Sequence, residues 1–134
     1  MNYHELADQL WEAEENRTQI QRLTDRFPEM TVADAYRIQL VNVERRLKNG
    51  QRLIGMNIGL TSQGMQKLLN VDVPDYGHLF DGMLLTDGQV CHISQLIQPK
   101  VEGELSFCLS KTLKGPGVTV AAVYDAVRYV APSI

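Results

Sequence analysis

The sequence is poor in cysteine, in aromatic side chains and in runs of any one residue type. Cys91 and Cys108 are the only two cysteines. They form no Cys-x-x-Cys pair and no zinc-type spacing, which excludes a disulfide framework and a structural zinc site. Met1 to Asn16 is acidic and amphipathic rather than a signal peptide. Two isolated thiols behind such a start are expected to stay reduced in a cytoplasm. No long uninterrupted apolar stretch exists, so no transmembrane helix is expected. Basic runs are also missing, and the formal net charge is −3 with a pI near 5.5. Nucleic acid is therefore a poor partner. There is no internal repeat and no low-complexity tract. What is present is 134 residues with 44% apolar side chains. That is enough for one ordinary domain with a real core.

Helical signals dominate the first fifty residues. From Tyr3 to about Asn16, Leu6, Leu10 and Ala13 recur at helical spacing beside Trp11. The period continues through Ile20 and Leu23 toward Pro28, so one or two helices are expected, the last stopped or kinked by the proline. A second helix opens at Thr31. Thr31 is a good N-cap and Asp34 sits in the first turn, where the helix dipole favours an anion. Val32, Ala35, Tyr36, Leu40, Val43 and Leu47 are expected to form its buried stripe. Arg45, Arg46 and Lys48 match the dipole at the other end, and Asn49-Gly50 closes it.

Strand signals follow. Arg52 to Leu60 reads as a strand carrying Gly55, Gly59 and one polar residue, Asn57. A glycine inside a strand often marks a bend or a close backbone approach. Gly59-Leu60-Thr61-Ser62 then leads into a short helix with Met65, Leu68 and Leu69. Such a turn is an ordinary N-cap, and it also offers free N–H groups and two hydroxyls to a carboxylate or phosphate. Val71 to Gly77 is a loop of turn formers. Asp72, Asp75 and His78 are candidate acids or ligands there, with Asx-turn bonding and local satisfaction as the commoner fates. Phe80–Leu85 and Gln89–Ile93 are expected to be strands joined by Thr86-Asp87-Gly88, a strong hairpin signal. Cys91 would fall in the second of them. Lys111 to Gly117 is a loop. Thr119 caps an expected helix with Val120, Val123, Val127 and Val130 inward and Pro132 as its stop.

Between these elements lies Val101-Glu102-Gly103-Glu104-Leu105-Ser106-Phe107-Cys108-Leu109. As a strand it turns Val101, Gly103, Leu105, Phe107 and Leu109 to one side and Glu102, Glu104, Ser106 and Cys108 to the other. Two carboxylates so placed repel unless a positive charge lies between them. A hard divalent cation is one natural occupant. A half-solvated strand with an acidic wet face is the plainer reading of the motif taken alone, with Cys108 serving only as packing.

Five stretches, in order, resemble one family. They are Ile58-Gly59-Leu60-Thr61-Ser62, Val71-Asp72-Val73-Pro74-Asp75-Tyr76-Gly77-His78-Leu79, Gln98-Pro99-Lys100-Val101-Glu102-Gly103-Glu104, Leu113-Lys114-Gly115-Pro116-Gly117 and Tyr129-Val130-Ala131-Pro132-Ser133-Ile134. Together they resemble the 2-keto-4-pentenoate (2-hydroxypenta-2,4-dienoate) hydratases, of the fumarylacetoacetate hydrolase-like enzymes, over essentially the whole chain. The resemblance implies an α+β fold with N-terminal helices over residues 1–50. Residues 51–134 would then be the first part of a mixed, curved catalytic sheet. It implies Glu102 and Glu104 as ligands of Mg²⁺ or Mn²⁺, which would hold a 2-oxo acid and stabilise enolate charge as a Lewis acid. Gly59, Leu60, Thr61 and Ser62 would lie against the substrate carboxylate. Asp75 would be a proton-handling or orienting acid.

Two departures from the family pattern stand out. The family usually has a lysine where this chain has Asn57, which supplies only a neutral dipole. The third metal-binding acid of the family would follow Ile134, so the sequence resembles the N-terminal part of a hydratase with an incomplete site. A homo-oligomer is expected, because a partial sheet leaves edges and apolar faces to cover. A decarboxylase of the 4-oxalocrotonate type is the nearest enzymatic alternative, with the same metal and enolate but loss of CO₂. A non-catalytic subunit or interaction module is the alternative of another class, supported by Asn57 and the missing acid.

Overall fold

The computed structural model covers Met1–Ile134. The chain divides into two compact units, Met1–Ile97 and Gln98–Ile134, and each is described by itself. No helix is long and apolar enough to cross a membrane.

The first unit begins with α1 (Tyr3–Glu15), capped by Asn2, whose side chain accepts the His4 and Glu5 amides. The helical period does not run on through Ile20. Residues 18–22 are non-helical, and only a single turn, α2 (Leu23–Arg26), re-forms before Pro28. Helix α3 (Val32–Lys48) starts where its cap demands. Thr31 and Asp34 form a reciprocal capping box that satisfies two amides left orphaned by the helix start.

Helices α1 and α3 pack through Leu6, Ala7 and Ile38, with Tyr3, Leu10, Leu23, Phe27, Met30 and Val41 around them. Burying a leucine- or isoleucine-sized side chain is worth about 1.5–3 kcal/mol, so this small cluster is the main apolar gain of the unit. The buried face of α3 is not the stripe the spacing suggests, since Val32, Leu40 and Leu47 are exposed while Ile38 is buried. The reason is that the packed side carries two arginines. Arg45 and Arg46 both lie over the Trp11 ring at 5.0 Å, and Arg46 also reaches the Phe80 ring at 5.6 Å. Their guanidiniums pair with Asp8 and Glu14. Stems and planar heads of this kind cover apolar surface as a hydrocarbon side chain would, yet a hydropathy pattern counts them as wet.

The capping box also sets an acid response. Asp34 is held down to about 2 from the ordinary 3.8, first by the Thr31 hydroxyl, then by the Tyr3 hydroxyl and the Thr31 amide, with Arg37 adding charge attraction. Because the folded value is the lower one, this contribution to stability is complete above about pH 4 and is lost as pH falls toward about 2. Asp81, lowered by the amide and guanidinium of Arg52, acts in the same direction. The melting temperature should therefore drop through this window, and Asp34→Asn should flatten the drop. An acid limb identical in the variant would show that other carboxylates govern it.

After α3 the chain makes a hairpin of β1 (Leu53–Gly59) and β2 (Asp75–Phe80), antiparallel, with α4 (Gln63–Leu68) in the connection. Phe80, 2% exposed, anchors its end against Arg46. Strand β2 ends there, so the expected strand Phe80–Leu85 does not form. Residues 81–83 make a 3₁₀ turn that begins where Asp81 accepts the Arg52 amide and guanidinium. The turn at Asp87-Gly88 exists, with Gly88 at φ +81° and the Gln89 amide on Thr86 O. The flanking residues form no strand ladder, however, so Gln89–Ile93 is no strand and Cys91 is exposed outside any element.

The second unit holds β3 (Glu104–Leu109), α5 (Val120–Ala126) and β4 (Val127–Ser133), with β3 and β4 antiparallel. Thr119 caps α5 as expected, but the helix ends at Ala126, and Val127 and Val130 belong to a strand. The run Val-Arg-Tyr-Val is rich in β-branched and aromatic side chains, which suits a pleated strand. Pro132 sits within β4 opposite Leu105. Proline is tolerated there because the strand has a partner on one side only. One mixed curved sheet is therefore not what forms. The architecture is helices with two separate two-stranded antiparallel sheets.

Candidate active site

Register builds the first cluster. Gly59 stands opposite Asp75, and Asn57 opposite Gly77, so all four lie on one face of the hairpin. A Cβ at Gly59 would collide with Asp75 Oδ1. The glycine is therefore required for the close approach that lets this carboxylate fold over the neighbouring strand. Gly77 leaves the space across from Asn57 without a side chain, and Asn57 is half-buried.

The turn after β1 is a shaped one. Leu60 has φ +54°, and its carbonyl accepts from Gln66 Nε2 at 2.6 Å. Ser62 is an ordinary N-cap, its Oγ accepting the Met65 amide at 3.2 Å. That leaves the Ser62 O–H able to donate. Thr61 and Ser62 are exposed.

Helix α3 borders the cluster. The Tyr36 and Tyr76 rings stack at 4.3 Å and 13°. The Tyr76 amide donates to Tyr36 Oη at 3.2 Å, and Gln39 Nε2 donates to Tyr76 O at 3.3 Å. Gln39 Oε1 also meets His78 Nδ1 at 2.9 Å, so this histidine has a side-chain partner on α3, far from it in the chain. Val32, Ala35, Tyr36, Gln39, Asp75, Tyr76 and Gly77 line an open groove of about 410 Å³. The helical spacing places Tyr36 in the buried stripe of α3 and gives Gln39 and the Tyr76 ring no individual role. Separations of 37 and 40 residues leave no local signal for these contacts.

Glu102 and Glu104 belong to the second unit. Glu104 opens β3 opposite Ser133, whereas Glu102 precedes the strand, and both are exposed. The strand thus begins three residues later than the alternation from Val101 suggests. Ser106 Oγ donates to Ser133 Oγ at 2.8 Å on the same face. Cys108 on that face stands opposite Tyr129, whose hydroxyl is pushed up by its hydrogen bond with the thiol. Two carboxylates are a hard, all-oxygen donor pair that suits Mg²⁺ or Ca²⁺ better than a thiophilic metal. No set of three or more His, Cys, Asp or Glu side chains gathers anywhere in the chain.

No protein-family model matches the chain. Relatives do. It is 46% identical over 130 residues to a 2-hydroxypent-2,4-dienoate hydratase of Pseudomonas putida, covering 96% of this chain and 59% of that protein. It is 44% identical over 130 residues to a 2-keto-4-pentenoate hydratase of Paraburkholderia xenovorans (strain LB400), covering 97% and 48%. The chain is a homologue of the 2-keto-4-pentenoate hydratases. It spans about half the length of the hydratases and decarboxylases it matches. Among solved structures it matches 4-oxalocrotonate decarboxylase from Pseudomonas putida G7, complexed with magnesium and adipate. That match has a TM-score of 0.92 and 38% identity, over 97% of this chain and 49% of the decarboxylase. The same decarboxylase matches equally well in its complex with calcium and acetate. Both complexes contain a divalent cation and a carboxylate compound.

Proposed function

We propose that this chain serves a divalent-cation-dependent hydratase that adds water to a short 2-hydroxy-2,4-dienoate, giving a 4-hydroxy-2-oxo acid. The observation that carries the reading is its 44–46% identity to hydratases over nearly all of its length. Residues 1–50 would act as the helical region and 51–134 as the first part of the catalytic domain, within a fumarylacetoacetate hydrolase-like fold. Glu102 and Glu104 would hold Mg²⁺ or Mn²⁺, which when bound supplies Lewis-acid stabilisation of charge developing on the substrate oxygens. The remaining work falls to the chain's own groups. The Thr61 and Ser62 hydroxyls, with the backbone from Gly59 and Leu60, would receive the substrate carboxylate. Asp75 would handle or direct the proton that moves onto the diene carbon chain, and Asn57 would offer a neutral dipole beside it. Exposed Leu105, Phe107 and Val130 on one face of β3–β4 support a homo-oligomer.

A second reading, decarboxylation of a 4-oxalocrotonate-type acid, is favoured by the 0.92 structural match. Incubating the chain with Mg²⁺ and each substrate separates the two. Loss of the dienoate absorbance without CO₂ release is the expected result. Release of CO₂ from oxalocrotonate with no hydration would make it a decarboxylase. No turnover of either acid, together with stable association with a longer homologue, would make it a non-catalytic subunit.

A further inference from the structure

We infer that Tyr36 and Gln39 are positioning residues for Asp75, acting through the backbone of Tyr76. The inference rests on the proposed role of Asp75 in proton handling. Strand β2 is hydrogen-bonded to β1 alone, so the amides and carbonyls along its other edge have no strand to bond. Such groups must find other partners or water. At Tyr76 both are taken by α3. The amide donates to Tyr36 Oη at 3.2 Å, and the carbonyl accepts from Gln39 Nε2 at 3.3 Å. The stacked rings, 4.3 Å apart, press the same two residues together. Gln39 is fixed in turn by His78 at 2.9 Å, so its amide cannot rotate without losing a bond at each end.

The clamp sits one residue from Asp75, which is the first residue of β2 and the end of its ladder. Terminal ladder residues fray most readily. A frayed Asp75 would lose the placement over Gly59 that the missing Cβ permits. The gripped Tyr76 backbone therefore fixes the strand from which the carboxylate projects, and Gly59 fixes where the carboxylate can lie. Misplacing a reacting group by about 1 Å can cost on the order of 10²-fold in rate. The two α3 side chains thus bear on kcat although neither need touch substrate.

The test uses the full chain and three substitutions, Tyr36→Phe, Gln39→Met and Asp75→Asn. Tyr36→Phe keeps the ring stack and deletes only the hydroxyl. Gln39→Met keeps the length and deletes the amide. Hydrogen exchange at the Tyr76 amide reads the clamp without any turnover, and Tyr36→Phe should speed it about tenfold or more. Steady-state hydration of 2-hydroxypenta-2,4-dienoate reads its consequence. Each α3 variant should lower kcat about tenfold with KM changed less than about twofold, and should have almost no further effect in the Asp75→Asn background. Unchanged amide exchange, or an equal kcat loss with and without Asp75, would overturn the positioning role and leave a purely structural tie. Full turnover by Asp75→Asn would instead overturn the catalytic reading of Asp75. The exchange result would then still decide whether the clamp exists.

Discussion

Replacing either Glu102 or Glu104 by glutamine should abolish binding of Mg²⁺ and Mn²⁺, whereas Asp87→Asn should leave it unchanged. The expectation follows from charge counting. A hard cation commonly makes do with one or two carboxylates plus water and substrate oxygens. The pair Glu102 and Glu104 meets that minimum, and no third acid, histidine or cysteine gathers with any two others. Binding to this chain should therefore be weak and should depend on both charges. Glutamine keeps the shape and removes one negative charge, leaving a single carboxylate that competes poorly with water. Asp87 lies in the exposed turn before Gly88 and serves as the control for nonspecific attraction to an acidic surface. Adding oxalate, which presents the two adjacent oxygens of a 2-oxo acid, should tighten binding in the parent. Calorimetry and Mn²⁺ relaxation on the parent and the three variants read this directly, with no need for turnover. Glutamate variants that bind metal as well as the parent would reduce the strand to an acidic wet face and remove the metal from the proposed function.

What could be read from the sequence was whatever is decided within a few residues. Thr31 and Asp34 announce a helix start because a capping box is complete in four residues, and the structure forms it as written. Ser62 and Thr119 cap their helices for the same reason. Turn chemistry at Asp87-Gly88 was equally legible, but a turn does not make a hairpin, and Phe80 instead ends its strand in a pocket beside Arg46. The α3 stripe went wrong because two arginines do apolar work over Trp11. The segment after Thr119 misleads because valines at 120, 123, 127 and 130 fit a helical period, while the last two lie in a β-branched and aromatic run that equally suits a strand. Only the partner strand, Glu104–Leu109, settles the choice. For the candidate site, the residue types at Asn57, Gly59 and Asp75 were visible in the chain, whereas their juxtaposition depends on the β1–β2 register across some eighteen residues. The grip of Tyr36 and Gln39 on Tyr76 spans about twice that separation.

Asn57→Lys should raise hydration of the dienoate by about 10²-fold or more, the contribution typical of a positioned general acid. Asn57 lies on β1 opposite Gly77 and diagonal to Asp75, on the face where the Gly59–Asp75 approach occurs. Diagonal neighbours in an antiparallel pair are about 7–8 Å apart, within reach of a long side chain. Glycine across the ladder leaves room for it. A lysine at this position would bring a positive charge and a transferable proton toward the Asp75 carboxylate, an ion pair that favours the charged form of both partners. The competing outcome is structural. Asn57 already has a polar interaction in the fold, and a cation that loses this bond without finding Asp75 would be desolvated at a cost in stability. The position is only half-buried, so an ammonium on a four-carbon stem retains a path to water, and the fold should survive the change. Measuring kcat and melting temperature together separates the cases. Higher turnover at near-parental stability supports a proton-donating role for this position, and a lowered melting temperature without a rate gain assigns Asn57 to the strand's own hydrogen bonding. Unchanged rate with unchanged stability would exclude both roles and place the proton donor elsewhere in the assembled enzyme.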